Sequence, residues 1–175
     1  CIRDRCTRIV NDDGVRLETV EHIMAAFAGL GVDNAIVDID GGEAPILDGS
    51  SLPVVEAINR TGITQLAARR RVLVVTSPVS VEHAGCWAKI EPCGGLEIDA
   101  EIDFDDTAIG RQRFHYRHGN GSFIRDLAAA RTFCMMRDVA TMQNAGLALG
   151  GSLNNAVVVE NGAILNEGGL RMEHE

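Results

Sequence analysis

The residue pair with the clearest potential for chemistry is Glu21-His22, in the segment Thr19-Val20-Glu21-His22. A neutral imidazole is a good zinc ligand, and an adjacent carboxylate is a suitable proton acceptor for a metal-bound water. The apolar sequence that follows predicts a helix with both residues in its first turn, where the helix dipole favours an ionised Glu21 and a neutral His22. A solvated glutamate beside a packed histidine would give the same dipeptide, so the pair alone does not establish a site.

A short helix is expected to position this pair. Thr19 stands where an N-cap is expected, and Gly29 and Gly31 should end a helix that runs to about Ala28. Apolar residues at helical spacing form one stripe: Val20, Ile23, Met24 and Phe27. A second face of small residues, which another element can approach closely, consists of His22, Ala26 and Gly29.

Short strands and helices are mixed along the rest of the chain. Strand or hairpin patterns occur at residues 8–17, 34–40, 72–76, 79–82, 87–91, 96–104, 111–116, 156–160 and 163–166, and further helical patterns at 51–61, 122–130 and 138–145. Residues 96–104 alternate apolar with acidic side chains, which predicts one buried face and one solvated acidic face. Asn161-Gly162 is a strong signal for a type I′ hairpin. This mixture predicts an α+β fold rather than a doubly wound parallel sheet.

Bulk composition excludes several classes of function. The 175 residues are 46% apolar and 23% charged, with a net charge of −9, which argues against binding to nucleic acid or anionic lipid. No apolar run approaches the roughly 18 residues of a membrane span, so stable membrane insertion is not expected. The five cysteines are scattered without a Cys-x-x-Cys pair, which favours a reducing cytoplasm.

Five stretches, in order along the chain, resemble one family, the UDP-3-O-acyl-N-acetylglucosamine deacetylases, zinc-dependent amidases of lipid A biosynthesis in bacteria. The stretches are residues 19–26, 29–34, 45–50, 130–133 and 146–152. The resemblance implies two similar layered α+β domains, each a mostly antiparallel sheet packed on two helices, with the active site between them. A change in composition at Leu66–Arg71 is the candidate boundary. Residues 1–68 would be the C-terminal part of the first domain and 72–175 the N-terminal part of the second, both incomplete.

The same resemblance implies roles for individual residues. His22 corresponds to a zinc ligand, Glu21 to the general base, and Thr132 to a hydroxyl that helps to hold the oxyanion. Cys6 would lie close to the metal, Phe133 near the sugar, and Phe104 near the nucleotide end of the substrate. An insert near residues 135–160 would form the acyl-chain passage and contains Met136, Val139, Met142, Ala148, Ser152, Ala156 and Val158. Plain core packing is the alternative interpretation of that insert.

Departures from the family pattern limit what this chain is expected to do. The family completes the site, which holds one Zn²⁺, with a His-Lys-x-x-x-Asp segment, expected here beyond residue 175. The chain is therefore expected to be an internal fragment, inactive by itself, because catalytic zinc generally needs three protein ligands. Cys86 stands where the family often has lysine, which removes one expected polar contact.

The function implied is hydrolysis of the N-acetyl group of UDP-3-O-acyl-N-acetylglucosamine by a cytoplasmic, monomeric enzyme whose partner is a nucleotide-sugar lipid. Two alternatives stay open. One is a non-catalytic α+β module that binds a nucleotide-sugar or a protein partner. The other is a zinc hydrolase for a different acylated amine. The downstream His-Lys-x-x-x-Asp segment would favour an enzyme over the binding module, and dependence on acyl-chain length would favour the lipid A substrate.

Overall fold

Short strands and helices are mixed along the chain in the computed structural model, which describes residues 6–146 and 148–175. The helices are α1 (Glu21–Leu30), α2 (Leu52–Thr61), α3 (Ser122–Asp126) and α4 (Met136–Asn144). The strands are β1 (Arg8–Val10), β2 (Arg16–Glu18), β3 (Val79–His83), β4 (Cys86–Ile90), β5 (Glu97–Asp103), β6 (Arg111–Arg117), β7 (Phe133–Met135), β8 (Val157–Glu160) and β9 (Ala163–Ile164).

The strands form small sheets, and most of their pairings are antiparallel. β1 pairs with β2, β3 with β4, and β5 with β6, each as an antiparallel hairpin. β7 and β8 are parallel and are connected through α4, while β9 adds to β8 in the antiparallel sense. Helices and mostly antiparallel strands confirm the predicted α+β class. The division into two domains at residues 66–71 stays a prediction.

The predicted turns form where the sequence provides residues that tolerate a left-handed backbone. Asn161 and Gly162, between β8 and β9, have φ values of 50° and 77°, as a type I′ turn requires. Gly14 has a φ of 80° in the turn between β1 and β2, where its amide donates to the Asn11 carbonyl at 3.0 Å. Both hairpins are therefore confirmed.

Helix α1 buries its small-residue face, as the sequence predicts. Ala26 is fully buried in a core cluster with Val55 of α2, Tyr116 of β6 and Phe123 of α3. The ring of Phe123 lies so close to Gly29 that a Cβ at that position would be 2.1 Å from the ring. Only glycine at this point allows α1 and α3 to approach so closely. A second cluster, formed by Met135, Val157 and Val159, holds β7 and β8 together.

Four expectations about secondary structure are wrong. Residues 34–40 and 72–76 are not strands, because a strand needs a hydrogen-bonded neighbour and none of the described strands pairs with them. The third predicted helix ends at Asp126 rather than near residue 130. Thr19 is not the N-cap of α1, since Val20 occupies the cap position and no side chain caps the helix.

The alternating strand forms, but its apolar face is not buried. Ile98 and Ile102 on β5 are 47% and 40% exposed. The acidic face carries ion pairs from Asp99 and Glu101 to Arg113 and Arg111 on β6. The chain exposes 13095 Å², against about 8,300 Å² expected for a compact monomer of 18.8 kDa. Much apolar surface on the β3–β6 hairpins therefore faces solvent, so the prediction of one buried face is wrong for this chain.

Candidate active site

Glu21 and His22 occupy the first turn of α1, and both are half-buried. The Glu21 carboxylate accepts a hydrogen bond from the Thr7 amide, with 3.0 Å between Oε2 and the nitrogen. The Val20 amide in turn donates to the Thr7 carbonyl at 3.4 Å, so the chain before β1 lies against the start of the helix. Cys6, half-buried with a free thiol, is therefore next in sequence to a residue bonded to Glu21.

The residue that leads into this turn has an unusual backbone. Thr19 is buried and has a φ of 58°, a left-handed conformation that β-branched residues rarely adopt. Its hydroxyl donates to Glu43 Oε1 at 2.7 Å. Glu43 is brought there because residues 42–44 run beside β2, with the Glu18 amide bonded to the Gly42 carbonyl and the Ala44 amide to the Glu18 carbonyl, each at 2.9 Å.

Thr132 lies immediately before β7, where the loop at residues 45–50 meets the second half of the chain. Its amide donates to the Gly49 carbonyl at 2.8 Å, and its carbonyl accepts from the Val157 amide at 2.8 Å. Gly49 has a φ of 82°, and a Cβ there would be 2.1 Å from the Asn155 carbonyl oxygen. The loop is thus wedged between Thr132 and Asn155, and only glycine fits at its contact point.

A network of ion pairs includes Arg131, the residue before Thr132. Arg131 and Glu175 form a bidentate pair whose side chains are 8% and 0% exposed. Arg171 binds Asp48 through Nη1 and Oδ2 at 2.7 Å, and its amide donates to Glu175. The network joins the loop at residues 45–50 to the residue before Thr132 and to the last five residues of the chain.

Both carboxylates of this network have lowered pKa values. Burial acts to raise the pKa of Glu175, but hydrogen bonds from the Arg131 side chain and from the Arg171 and Arg131 amides outweigh it, so the pKa lies below its ordinary value of 4.5. Burial also opposes ionisation of Asp48, and bonds from Arg171 and Ser50 hold its pKa below 3.8. Each group therefore contributes stability above its ordinary pKa that is lost as the pH falls through the lower folded-state value.

Two aromatic side chains with predicted substrate contacts lie together. The rings of Phe104 and Phe133 are 5.3 Å apart between centroids and nearly perpendicular, at 81°. Both remain partly exposed, at 36% and 37%. This edge-to-face pair joins the end of β5 to β7 and leaves aromatic surface accessible next to Thr132.

The residues of the predicted acyl passage lie on and around the unit β7–α4–β8. Met136, Val139 and Met142 are on α4, the first partly exposed and the other two half-buried. Val158 is buried on β8, on the opposite strand face from Val157 and Val159. Three further residues lie between α4 and β8: Ala156 is half-buried, whereas Ala148 and Ser152 are exposed.

The donor set for zinc is incomplete within residues 6–146 and 148–175. These residues contain no group of three or more His, Cys, Asp or Glu side chains placed to hold a metal ion. His22 has the chemistry of a ligand, but catalytic zinc generally uses three protein ligands. At the start of α1, the described part of the chain therefore offers one imidazole beside one carboxylate, which is fewer donors than a complete zinc centre requires.

Sequence reasoning did not single out the ion-pair network or the Thr19–Glu43 bond. Arg131 and Glu175 are 44 positions apart and Thr19 and Glu43 are 24 apart, so no local pattern connects either pair. One local signal was available, because the Asp48-Gly49-Ser50 segment is a typical Asx turn, in which Asp48 Oδ1 accepts from the Ser50 amide at 3.0 Å.

Comparison with known proteins identifies the family. Residues 2–175 match the family of UDP-3-O-acyl N-acetylglycosamine deacetylases, and the chain belongs to this family. It is 44% identical over 172 residues to the UDP-3-O-acyl-N-acetylglucosamine deacetylase of Shewanella piezotolerans, covering 97% of this chain and 56% of that protein. The protein of the same name from Photobacterium profundum is 45% identical over 172 residues, covering 97% of this chain and 57% of the relative. The chain thus spans about half the length of the curated relatives it matches.

Proposed function

We propose that this chain supplies part of the active site of a zinc-dependent amidase that removes the N-acetyl group of UDP-3-O-acyl-N-acetylglucosamine. The observation that carries the proposal is the family match over residues 2–175 combined with Glu21 and His22 in the first turn of α1. The relatives bear the name of that deacetylase. Among the described residues, no helix is long and apolar enough to cross a membrane.

The residues of this chain have distinct roles in the proposed hydrolysis. His22 would be one of the zinc ligands, and zinc, when bound, lowers the pKa of a coordinated water to about 7. Glu21 accepts the proton of the attacking water and returns it to the nitrogen as the C–N bond breaks, which releases acetate and a free amine. The Thr132 hydroxyl donates to the oxygen of the tetrahedral intermediate, which carries the developing negative charge.

The remaining residues would bind the substrate. The partly exposed rings of Phe133 and Phe104 are suited to contact with the sugar and with the nucleotide end, respectively. The apolar side chains of α4 and β8 would receive the acyl chain, and burial of each methylene contributes about 0.8 kcal/mol. Cys6, beside Thr7, would lie at the edge of the metal site.

A chimera tests the proposal. The corresponding 172 residues of the Shewanella piezotolerans deacetylase are replaced by this chain, and acetate release from UDP-3-O-acyl-N-acetylglucosamine is measured. The chimera should be active, and Glu21→Ala or His22→Ala should abolish turnover. Thr132→Val should lower the rate by roughly 100- to 1,000-fold, because one oxyanion donor is lost.

The chain itself provides a matched control. Val81-Glu82-His83 repeats the tripeptide Val20-Glu21-His22, but it lies at the end of β3 with all three residues exposed. Glu82→Ala and His83→Ala should leave the activity of the chimera unchanged. A chimera that melts like the parent enzyme, binds the nucleotide-sugar and releases no acetate would refute the catalytic proposal and favour a binding module.

A further inference from the structure

The strained residue before the catalytic pair has no role in the chemistry proposed above. Thr19 is only 8% exposed and adopts a φ of 58°. Left-handed backbone is costly for a β-branched side chain and persists only where surrounding contacts fix it. Such residues are concentrated at functional sites, where they set the direction of the chain.

The Thr19 side chain is held in this conformation by a hydrogen bond to Glu43, 24 positions along the chain. In an extended conformation, the threonine hydroxyl would be available to cap α1, as the sequence predicts. Here it donates instead to Glu43 Oε1 at 2.7 Å, and Val20 begins the helix with φ −83° and ψ −10° and no side-chain cap. Glu43 is itself held in place by the backbone bonds between residues 42–44 and β2.

We infer that Thr19 and Glu43 form a positioning pair for the first turn of α1. The left-handed turn at Thr19 sets the direction in which the helix begins, and therefore where Glu21 and His22 point. The Glu43 carboxylate holds that turn from the neighbouring segment. This inference rests on the proposed function for the catalytic consequence, but the structural link from Thr19 to the first turn can be tested without activity.

Four substitutions in the chimera separate the effect of the Thr19–Glu43 hydrogen bond from the effect of the Thr19 backbone. Thr19→Ser and Glu43→Gln each keep a donor and an acceptor for that bond, so kcat should remain close to that of the unsubstituted chimera. Thr19→Val keeps the shape without the donor, and Glu43→Ala removes the acceptor. Each should lower kcat by up to about 100-fold with little change in KM, as expected when catalytic groups are misplaced by about 1 Å.

The double variant distinguishes positioning from general destabilisation. If Thr19 and Glu43 act through one hydrogen bond, Thr19→Val with Glu43→Ala should lower kcat no further than either change alone. Multiplied losses, or unchanged kcat in Thr19→Val, would overturn the inference.

A readout on the 175-residue chain does not depend on catalysis. In nitrogen-edited NMR spectra, Thr19→Val should shift the amide signals of Glu21 and His22, and Thr19→Ser should leave them near their original positions. Ala84 has a similar φ of 51° in the exposed turn between β3 and β4, so Ala84→Gly is the matched control and should move neither signal. Unmoved signals in Thr19→Val refute the positioning pair, whereas an inactive parent chimera with shifted signals refutes only the proposed function.

Discussion

Neutralising Glu175 should destabilise the fold far more than neutralising an exposed carboxylate with the same geometry. Glu175 accepts from Arg131 Nε and the Arg131 amide at Oε1, and from Arg131 Nη2 and the Arg171 amide at Oε2. In Glu175→Gln an NH₂ group replaces one carboxylate oxygen, and this group then faces two N–H donors instead of accepting from them. The Arg131 cation also loses its negatively charged partner. Breaking a buried pair costs about 3–5 kcal/mol, and we expect about 3 because the Glu175 residue is only half-buried as a whole.

Thermal unfolding at neutral pH, followed by far-UV circular dichroism, measures this effect. For a chain of this size, about 3 kcal/mol corresponds to a fall in Tm of roughly 6–12 °C. The control is Asp99→Asn, because Asp99 binds Arg113 with bonds of 2.8 and 2.6 Å while the two side chains are 45% and 67% exposed. That substitution should barely move the Tm, since solvent screens the pair. Equal melting temperatures for the two variants would refute the argument from burial.

Two further predictions concern packing and pH. Gly29→Ala should destabilise the protein by about 1–3 kcal/mol, because its Cβ would be 2.1 Å from the Phe123 ring, and urea unfolding should show a lower midpoint. Gly94→Ala, where a Cβ has no neighbour within 4 Å, is the control; equal midpoints would contradict the close approach of α1 and α3. The second prediction is that the free energy of unfolding should decrease as the pH falls below 4.5, the ordinary pKa of Glu175, and below 3.8, the ordinary pKa of Asp48. The reason is that both pKa values are lower in the folded state than in the unfolded state. Melting temperatures from pH 7 to pH 3 measure this, and Glu175→Gln should flatten the dependence; an unaltered slope would exclude Glu175 as its source.

The sequence predicted those parts of the fold that local chemistry controls. Three predicted features depend mainly on neighbouring residues, and each is present in the structure: the Asn161-Gly162 turn, the strand β5 and the small-residue face of α1. The Glu21-His22 pair was placed in the first turn of a helix for the same reason, because helix formation from an apolar, periodic segment is local.

Expectations that depended on a distant partner were less successful. Residues 34–40 alternate like a strand, but a strand forms only with a neighbour to accept its hydrogen bonds. The apolar face of β5 would likewise be buried only if another element packed over it. The alternating pattern predicts such packing, but the covering element must come from a distant part of the chain.

The sequence by itself placed an imidazole and a carboxylate, His22 and Glu21, side by side at the start of a helix, because type and spacing are local properties. The role proposed for the Thr132 hydroxyl came only from the family resemblance. Tertiary structure decided how they are held. The Thr19 hydroxyl binds a carboxylate 24 positions away, and Arg131, next to Thr132, binds a carboxylate 44 positions away. Such bonds form only when packing brings the segments together, so no local pattern encodes them.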